Sequence, residues 1–576
     1  MKSAESFSAT AAFMREALRR YVPVIRSWTT PDGQLPDPYE TVYSENYAPA
    51  NAAAVLASVC RSERTEEAAG LLEVMLARTV ELLGDKPGVT PFCRVFLYHY
   101  GLMALLLAPE QDRSRLIRRF GPALASYEDD CVVVNTNCAA LQWAMELFAD
   151  ALGLRPASRD LLEHRLAFIA KAQLESGFIN DEVTEEHNHD GMPIAYHAFT
   201  LFLLMSAMAV IDNWPDRYDA YRRDAERIIR QGMSWLRHTV TPDGAFAMVE
   251  RSGYQMFTWG ALVSLLAYTA PDGEYGASVA DAFRNWLPYI REDGTYGCTP
   301  NHLPHTLRVG FETYTHLNMY NLLGLTGIAV AERVLERQLR LPESEQRESV
   351  SQDAFVDAGS GYAFYRNGTH FFGCTMRMHN RKYAPAMQGF HFRLDGYPLP
   401  IAEPRLPGLH ETAERHIRDG VWEGYVVTDE AGVSHFPNTM ENIELTPASD
   451  GLAMVFENEL LRCDKTIAVT GCGITWSYVL KAKKPLRSCR HFIPLVVYDG
   501  RNTLQIGTGG DGKLLLQYAG KSYTLECGEA VALDMDLSRS LLSVSGVSAQ
   551  VRAVIAGPLG AGQTVSWTTV LRPIQP

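Results

Sequence analysis

Residues Tyr254–Tyr268 read YQMFTWGALVSLLAY, a stretch with no charged side chain and with apolar residues on nearly every face of a helix. A helix that is apolar all round must be buried among other helices. Arg217–Arg230, RYDAYRRDAERIIR, is the complement: its charges gather on one face, which marks an outer, half-solvated helix. An inner ring of the first kind wrapped by an outer ring of the second is what an α/α toroid requires.

The surrounding sequence repeats this alternation. Segments 49–60, 65–83, 95–108, 112–126, 138–152, 158–174, 195–211, 216–238, 276–287 and 312–338 carry apolar residues at i, i+3, i+4, i+7 spacing, as does 254–269. Between them a turn signature recurs: Pro31-Asp32-Gly33, Glu175-Ser176-Gly177-Phe178, Pro242-Asp243-Gly244-Ala245-Phe246 and Glu292-Asp293-Gly294-Thr295-Tyr296. Glycine takes positive φ at little cost, so it ends a helix and reverses the chain. The spacing suits one helical hairpin per repeat and predicts an incomplete barrel of helical hairpins.

After about residue 350 the period changes. Thr369–His379, Gly473–Lys483, His491–Tyr498, Lys513–Leu525 and Val565–Leu571 are short, rich in β-branched and aromatic residues, and separated by Gly/Asp turns. They predict an antiparallel β-sandwich. The charged stretch Leu341–Asp353 has almost no core-forming residues. The expected division is therefore an α/α toroid over 1–345 and a sandwich over 346–576.

The chain has 576 residues, 47% of them hydrophobic and 21% charged, with net charge −14. This is a globular composition, and its sign opposes a general nucleic-acid binder. The cysteines, ten in all, form no CxxC pair and lie mostly in apolar runs, as reduced thiols would. The opening MKSAESFSATAAFMREALRRY reads as an amphipathic helix and not a signal peptide. The apolar run Phe199–Ile211 is too short for a bilayer, which needs about 20 residues. A cytoplasmic protein without a membrane partner is expected, or a secreted one if the chain is a processed form.

Chemistry gathers just before buried helices. Glu185–His197 holds His187, Asn188, His189, Tyr196 and His197, with Pro193 suited to a helix first turn. Tyr196 and His197 are expected to point out of that turn. His187 and His189 form an HxH pair, but a third spaced ligand is lacking, so neither a metal nor another cofactor is expected. Arg251 and Tyr254 open the next buried helix and can face the ring's mouth. Asn137 precedes another; an Asn there is commonly an N-cap.

His, Tyr, Arg and Asn together suit β-elimination next to a uronate carboxylate. Arg or Asn neutralises the carboxylate, a neutral His or a tyrosinate takes the α-proton, and Tyr protonates the leaving oxygen. A glycoside hydrolase would need two carboxylates; Asp181, Glu182, Asp190, Asp129 and Asp130 are the candidates. A toroid hydrolase acting on unsaturated uronyl oligosaccharides and a non-catalytic carbohydrate-binding protein are the alternatives.

A helical toroid followed by a sandwich resembles the polysaccharide lyases of the chondroitin AC/hyaluronate lyase and heparinase II/III–alginate lyase types. The first type's order Asn, His, Tyr, Arg is similar to Asn137, His187 or His189 after Ser176-Gly177-Phe178-Ile179, Tyr196, and Arg251. The second type's pattern would assign Asn188-His189 or Tyr196-His197 with Arg251 and Tyr254. It also implies substrate contacts from the sandwich, here His379 and Arg381 beside Tyr383. The resemblance implies an anionic oligo- or polysaccharide as substrate.

Overall fold

The computed structural model describes residues 2–40, 46–84, 88–133, 135–180, 194–212, 214–249, 252–269, 279–311, 315–338, 352–375, 390–403, 422–437, 442–510, 512–528, 530, 532–535 and 541–574. Its first part is helical. The inner helices are Ala48–Ser62, Pro91–Leu107, Thr136–Ala151, Ile194–Val210, Met256–Thr269 and Leu317–Gln338. Each touches the next, and the last packs back on the first. These helices form the expected ring. Lys2–Arg20, Glu66–Leu83, Glu110–Ala125, Arg159–Ala172, Asp219–Leu236 and Val279–Asn285 pack outside it.

Two features of the sequence make this ring. The first is the glycine turn. Gly33, Gly177, Gly244 and Gly294 all have positive φ, between 82° and 97°. In each case the residue three before the glycine donates its backbone N–H to the carbonyl of the residue after it: Thr30 to Gln34, Leu174 to Phe178, Thr241 to Ala245 and Arg291 to Thr295, at 2.8–2.9 Å. The second is close approach. A Cβ placed on Gly260 would stand 2.2 Å from the Gly324 carbonyl oxygen, and one on Gly327 would stand 2.5 Å from the Gly260 backbone. Helices 256–269 and 317–338 thus touch backbone to backbone, which only glycine permits.

The last described helix ends at Gln338 and the first strand begins at Gln352; the expected boundary at 345/346 lies between them, outside the described residues. Among the described residues the strands form antiparallel sheets of four, eight and six strands. The four-stranded sheet, residues 352–393, joins the two halves. Tyr362 and Phe364 alternate with Ala363 and Tyr365, so the strand serves two cores. Tyr362 and Phe364 belong to the toroid core, where both meet Trp235; Ala363 and Tyr365 belong to the sandwich core. Asp357 fixes the joint by accepting from Ser176 Oγ at 2.7 Å and Trp235 Nε1 at 2.8 Å.

The expected single strand over 513–525 is a hairpin, Lys513–Tyr518 with Lys521–Cys527. Ala519 and Gly520 turn it with φ of 47° and 75°, the paired positive φ of a two-residue hairpin loop. All ten cysteines are free thiols, and most are buried. Among the described residues no helix is long and apolar enough to cross a membrane.

Candidate active site

The first turns of all the inner helices meet at one end of the ring and line a cavity of about 170 Å3. Asn46 and Tyr47 come from the start of the first, Phe92, Cys93 and Phe96 from the second, and Asn137 from the third. Tyr196 and Phe199, then Phe257, then His316, Met319, Tyr320 and Leu323 complete the described wall. Helix N-termini carry partial positive charge from unpaired N–H groups. Their convergence favours an anion at the centre, and no Asp or Glu is among the described wall residues.

Asn137 stands in the first turn because the cap position is already taken. Asn135 is the cap, its side chain accepting from the Cys138 N–H at 3.0 Å, so Asn137 is not spent on capping as its place in sequence suggests. Tyr196 is half-buried, and its ring lies 6.3 Å from that of Phe257.

His197 corrects the expectation that it points out of the same turn. It is 1% exposed. Its Nδ1 accepts the Ile179 N–H at 2.9 Å, and its Nε2 lies 3.2 Å from the Gly232 carbonyl oxygen. Burial, opposed only by the Gly232 contact, pushes its pKa down to about 3. A neutral ring held by backbone on both sides, between Phe178 and Trp235, is a tie between helices and cannot reach the cavity.

Tyr254 also departs from expectation. It is 5% exposed, buried in an apolar cluster with Met248 and with Val544 of the β half, and it does not line the cavity. Ser252, two residues before it, is fully buried with φ 63°. A non-glycine residue at positive φ stores strain that surrounding contacts must hold; here the Ser252 carbonyl accepts from Thr258 Oγ1 at 2.7 Å. His187, Asn188, His189 and Arg251 lie outside the described residues, as do His379, Arg381 and Tyr383. Of the carboxylate candidates, Asp181, Glu182 and Asp190 lie outside them too, while Asp129 is engaged by Gln142 and the Cys131 N–H and Asp130 by Arg94.

His316 is the residue that sequence reasoning missed. It immediately precedes helix Leu317–Gln338 and lines the cavity. Its Nδ1 lies 3.6 Å from Glu40 Oε1. Burial lowers its pKa, Asp37 and Glu40 oppose that, and Arg308 adds to it. Arg308 has φ 49°, pairs with Glu40 and donates to the Thr315 carbonyl at 3.0 Å. A neutral imidazole therefore sits at the cavity wall, backed by an Arg–Glu pair. Among the described residues no group of His, Cys, Asp and Glu is arranged to hold a metal ion.

No family model matches the chain, and no curated protein matches it. Solved structures do. The Streptomyces coelicolor A3 chondroitin AC lyase, solved in complex with chondroitin sulphate, superposes on 98% of this chain and 79% of its own, with TM-score 0.50 and 11% identity. A heparinase III matches over 91% and 77%, at TM-score 0.45 and 11% identity. A glycosyl hydrolase family 88 protein from Bacteroides vulgatus matches 57% of this chain and 99% of its own, at TM-score 0.38 and 10% identity. The fold is that of the α/α-toroid polysaccharide lyases: a helical ring followed by antiparallel sheets, as in the chondroitin AC lyase.

Proposed function

We propose that the protein is a polysaccharide or oligosaccharide lyase that cleaves a uronate-containing glycan by β-elimination at the toroid cavity. The observation that carries this reading is the convergence of the inner-helix N-termini on one cavity that holds Asn137, Tyr196 and His316 and has no carboxylate on its described walls. An anionic sugar is favoured there, and a hydrolase's carboxylate pair has no place on those walls. The lyase of the same fold was solved with chondroitin sulphate, an anionic polysaccharide.

The chemistry runs as follows. Asn137 and the helix N–H groups, with Arg251 from the sequence pattern, stabilise the uronate carboxylate as the neighbouring carbanion develops. A neutral imidazole removes the α-proton; His316 and His189 are the candidates, and burial keeps His316 in the basic form. Tyr196 donates its phenolic proton to the glycosidic oxygen as the carbon–oxygen bond breaks. The products are a new non-reducing end with a carbon–carbon double bond and a free hydroxyl on the leaving sugar.

The test is to incubate the protein with chondroitin, hyaluronan, heparan and alginate and to follow ultraviolet absorbance of the unsaturated uronate. A rise on one of these polymers is expected. New reducing ends without absorbance would replace the lyase reading with a hydrolase.

A further inference from the structure

A second cavity, of about 640 Å3, lies between the toroid turns and the β half. That is the size of a ligand pocket. Its described walls share no residue with those of the toroid cavity. We propose that it is a separate carbohydrate site that takes a neutral pyranose unit.

Charge excludes the anionic sugar assigned to the first cavity. Asp243, Asp395, Glu403 and Asp499 face it, and Arg393 is the one Lys or Arg among the described wall residues. That arginine is already shared, 3.5 Å from Asp243 and 3.8 Å from Glu403. His302 brings no firm charge, because burial and then Arg501 lower its pKa. A carboxylate ligand would meet repulsion here.

A buried acceptor asks for a hydroxyl. Glu403 Oε1 lies 3.0 Å from Nδ1 of His391, which is fully buried. Glu403 lines the cavity with its side chain 12% exposed, and its Oε2 has no donor among the described residues. An acceptor in that state costs stability unless something donates to it. A sugar hydroxyl does so and brings no charge. The other walls suit the ring's apolar face: Tyr289, Tyr397 and Tyr518 line the space, and aromatic rings with a few fixed polar groups are the usual composition of such sites. The wall is also rigid. Asp499 accepts from the Arg501 and Asn502 N–H groups at 2.7 and 2.6 Å and from Tyr518 OH at 2.8 Å.

The experiment measures binding without turnover, so its outcome is separate from that of the lyase assay. The full chain is titrated by calorimetry with methyl glucopyranoside, methyl N-acetylglucosaminide and cellotriose, with glucuronate as the anionic control. Neutral sugars should bind, glucuronate should not displace them, and Tyr196→Phe should leave the affinity unchanged. Glu403→Gln should weaken binding about tenfold. If that variant loses its circular dichroism, Tyr397→Ala takes its place and must weaken binding to the same degree. No binding of any neutral sugar, displacement by glucuronate, or loss of binding only in Tyr196→Phe would overturn the proposal.

Discussion

Tyr196 and His197 are neighbours in the chain and serve opposite purposes: Tyr196 lines the toroid cavity, while His197 is 1% exposed and tied to the backbone at Ile179 and Gly232. One residue faces the cavity and the next holds the helix that carries both.

Replacing Tyr196 with Phe removes a single oxygen. If that phenol is the general acid, turnover on the active polymer should fall by about 100-fold or more, with substrate binding and the thermal transition unchanged. Progress curves and a melting curve of the same preparation check both halves. Undiminished turnover would remove Tyr196 from the mechanism.

His197→Ala should act on the fold. It leaves the Ile179 N–H without its acceptor and opens a void beside Trp235. The expected loss is about 2–4 kcal/mol, read from urea midpoints. The folded fraction should keep its activity, which a catalytic histidine would not allow.

The buried histidines set an acid limit. Burial is the first cause that lowers His99, His197 and His305 to about 3 and His238 to about 4. In the unfolded chain a histidine titrates near about 6.5. Below that pH the unfolded chain binds protons that the folded chain refuses, so stability falls as pH falls. The loss is on the order of 1 kcal/mol per histidine per pH unit until the folded values are reached. Urea midpoints taken across this window should drop steeply, and a flat profile would contradict the burial of these rings.

The β half holds a buried charge network. Burial pushes the Glu423 carboxyl up, but Lys465 and then His491 outweigh it and hold it at about 2. Glu423 also accepts from Tyr478 OH, and His491 Nε2 lies 2.8 Å from it. Glu423→Gln takes the carboxylate from Lys465, which is 1% exposed, at an expected cost of about 3–5 kcal/mol. Replacing both Glu423 and Lys465 with apolar residues should cost much less, and calorimetric melts of the two variants and the parent decide it.

Gly260→Ala tests the backbone contact between two inner helices. The added methyl would stand 2.2 Å from the Gly324 carbonyl oxygen, so the two helices must move apart, at about 1–3 kcal/mol. A variant as stable as the parent would mean the helices are not in backbone contact.

The ring was legible because its signals are local. Periodicity marked each inner helix, and the Asp-Gly turns marked the connections, whose glycines all have positive φ. The sheets were half legible. Strand 362–367 is buried on both faces, so it lacks the polar alternation of a half-solvated strand. The site was the least legible. Helix Ile194–Val210 is buried almost throughout, and no polar stripe showed which way Tyr196 and His197 turn. His316 belongs to no motif; its setting comes from Glu40 and Arg308, which folding and not sequence spacing brings together. The sequence offered Asn137 for a capping bond that Asn135 makes.

The packing of the last inner helix on the first has a consequence for synthesis. Thr326 Oγ1 donates to the Asn51 carbonyl at 3.4 Å across 275 residues of chain. A nascent chain can form its early helical hairpins as they emerge, but it cannot join the two ends of the ring until helix Leu317–Gln338 has been made. His316, Met319 and Tyr320 arrive with that helix, so the cavity is completed late. Until then the faces of helices Ala48–Ser62 and Met256–Thr269 that Leu317–Gln338 covers lack that partner, and this is the interval in which a chaperone would be of use.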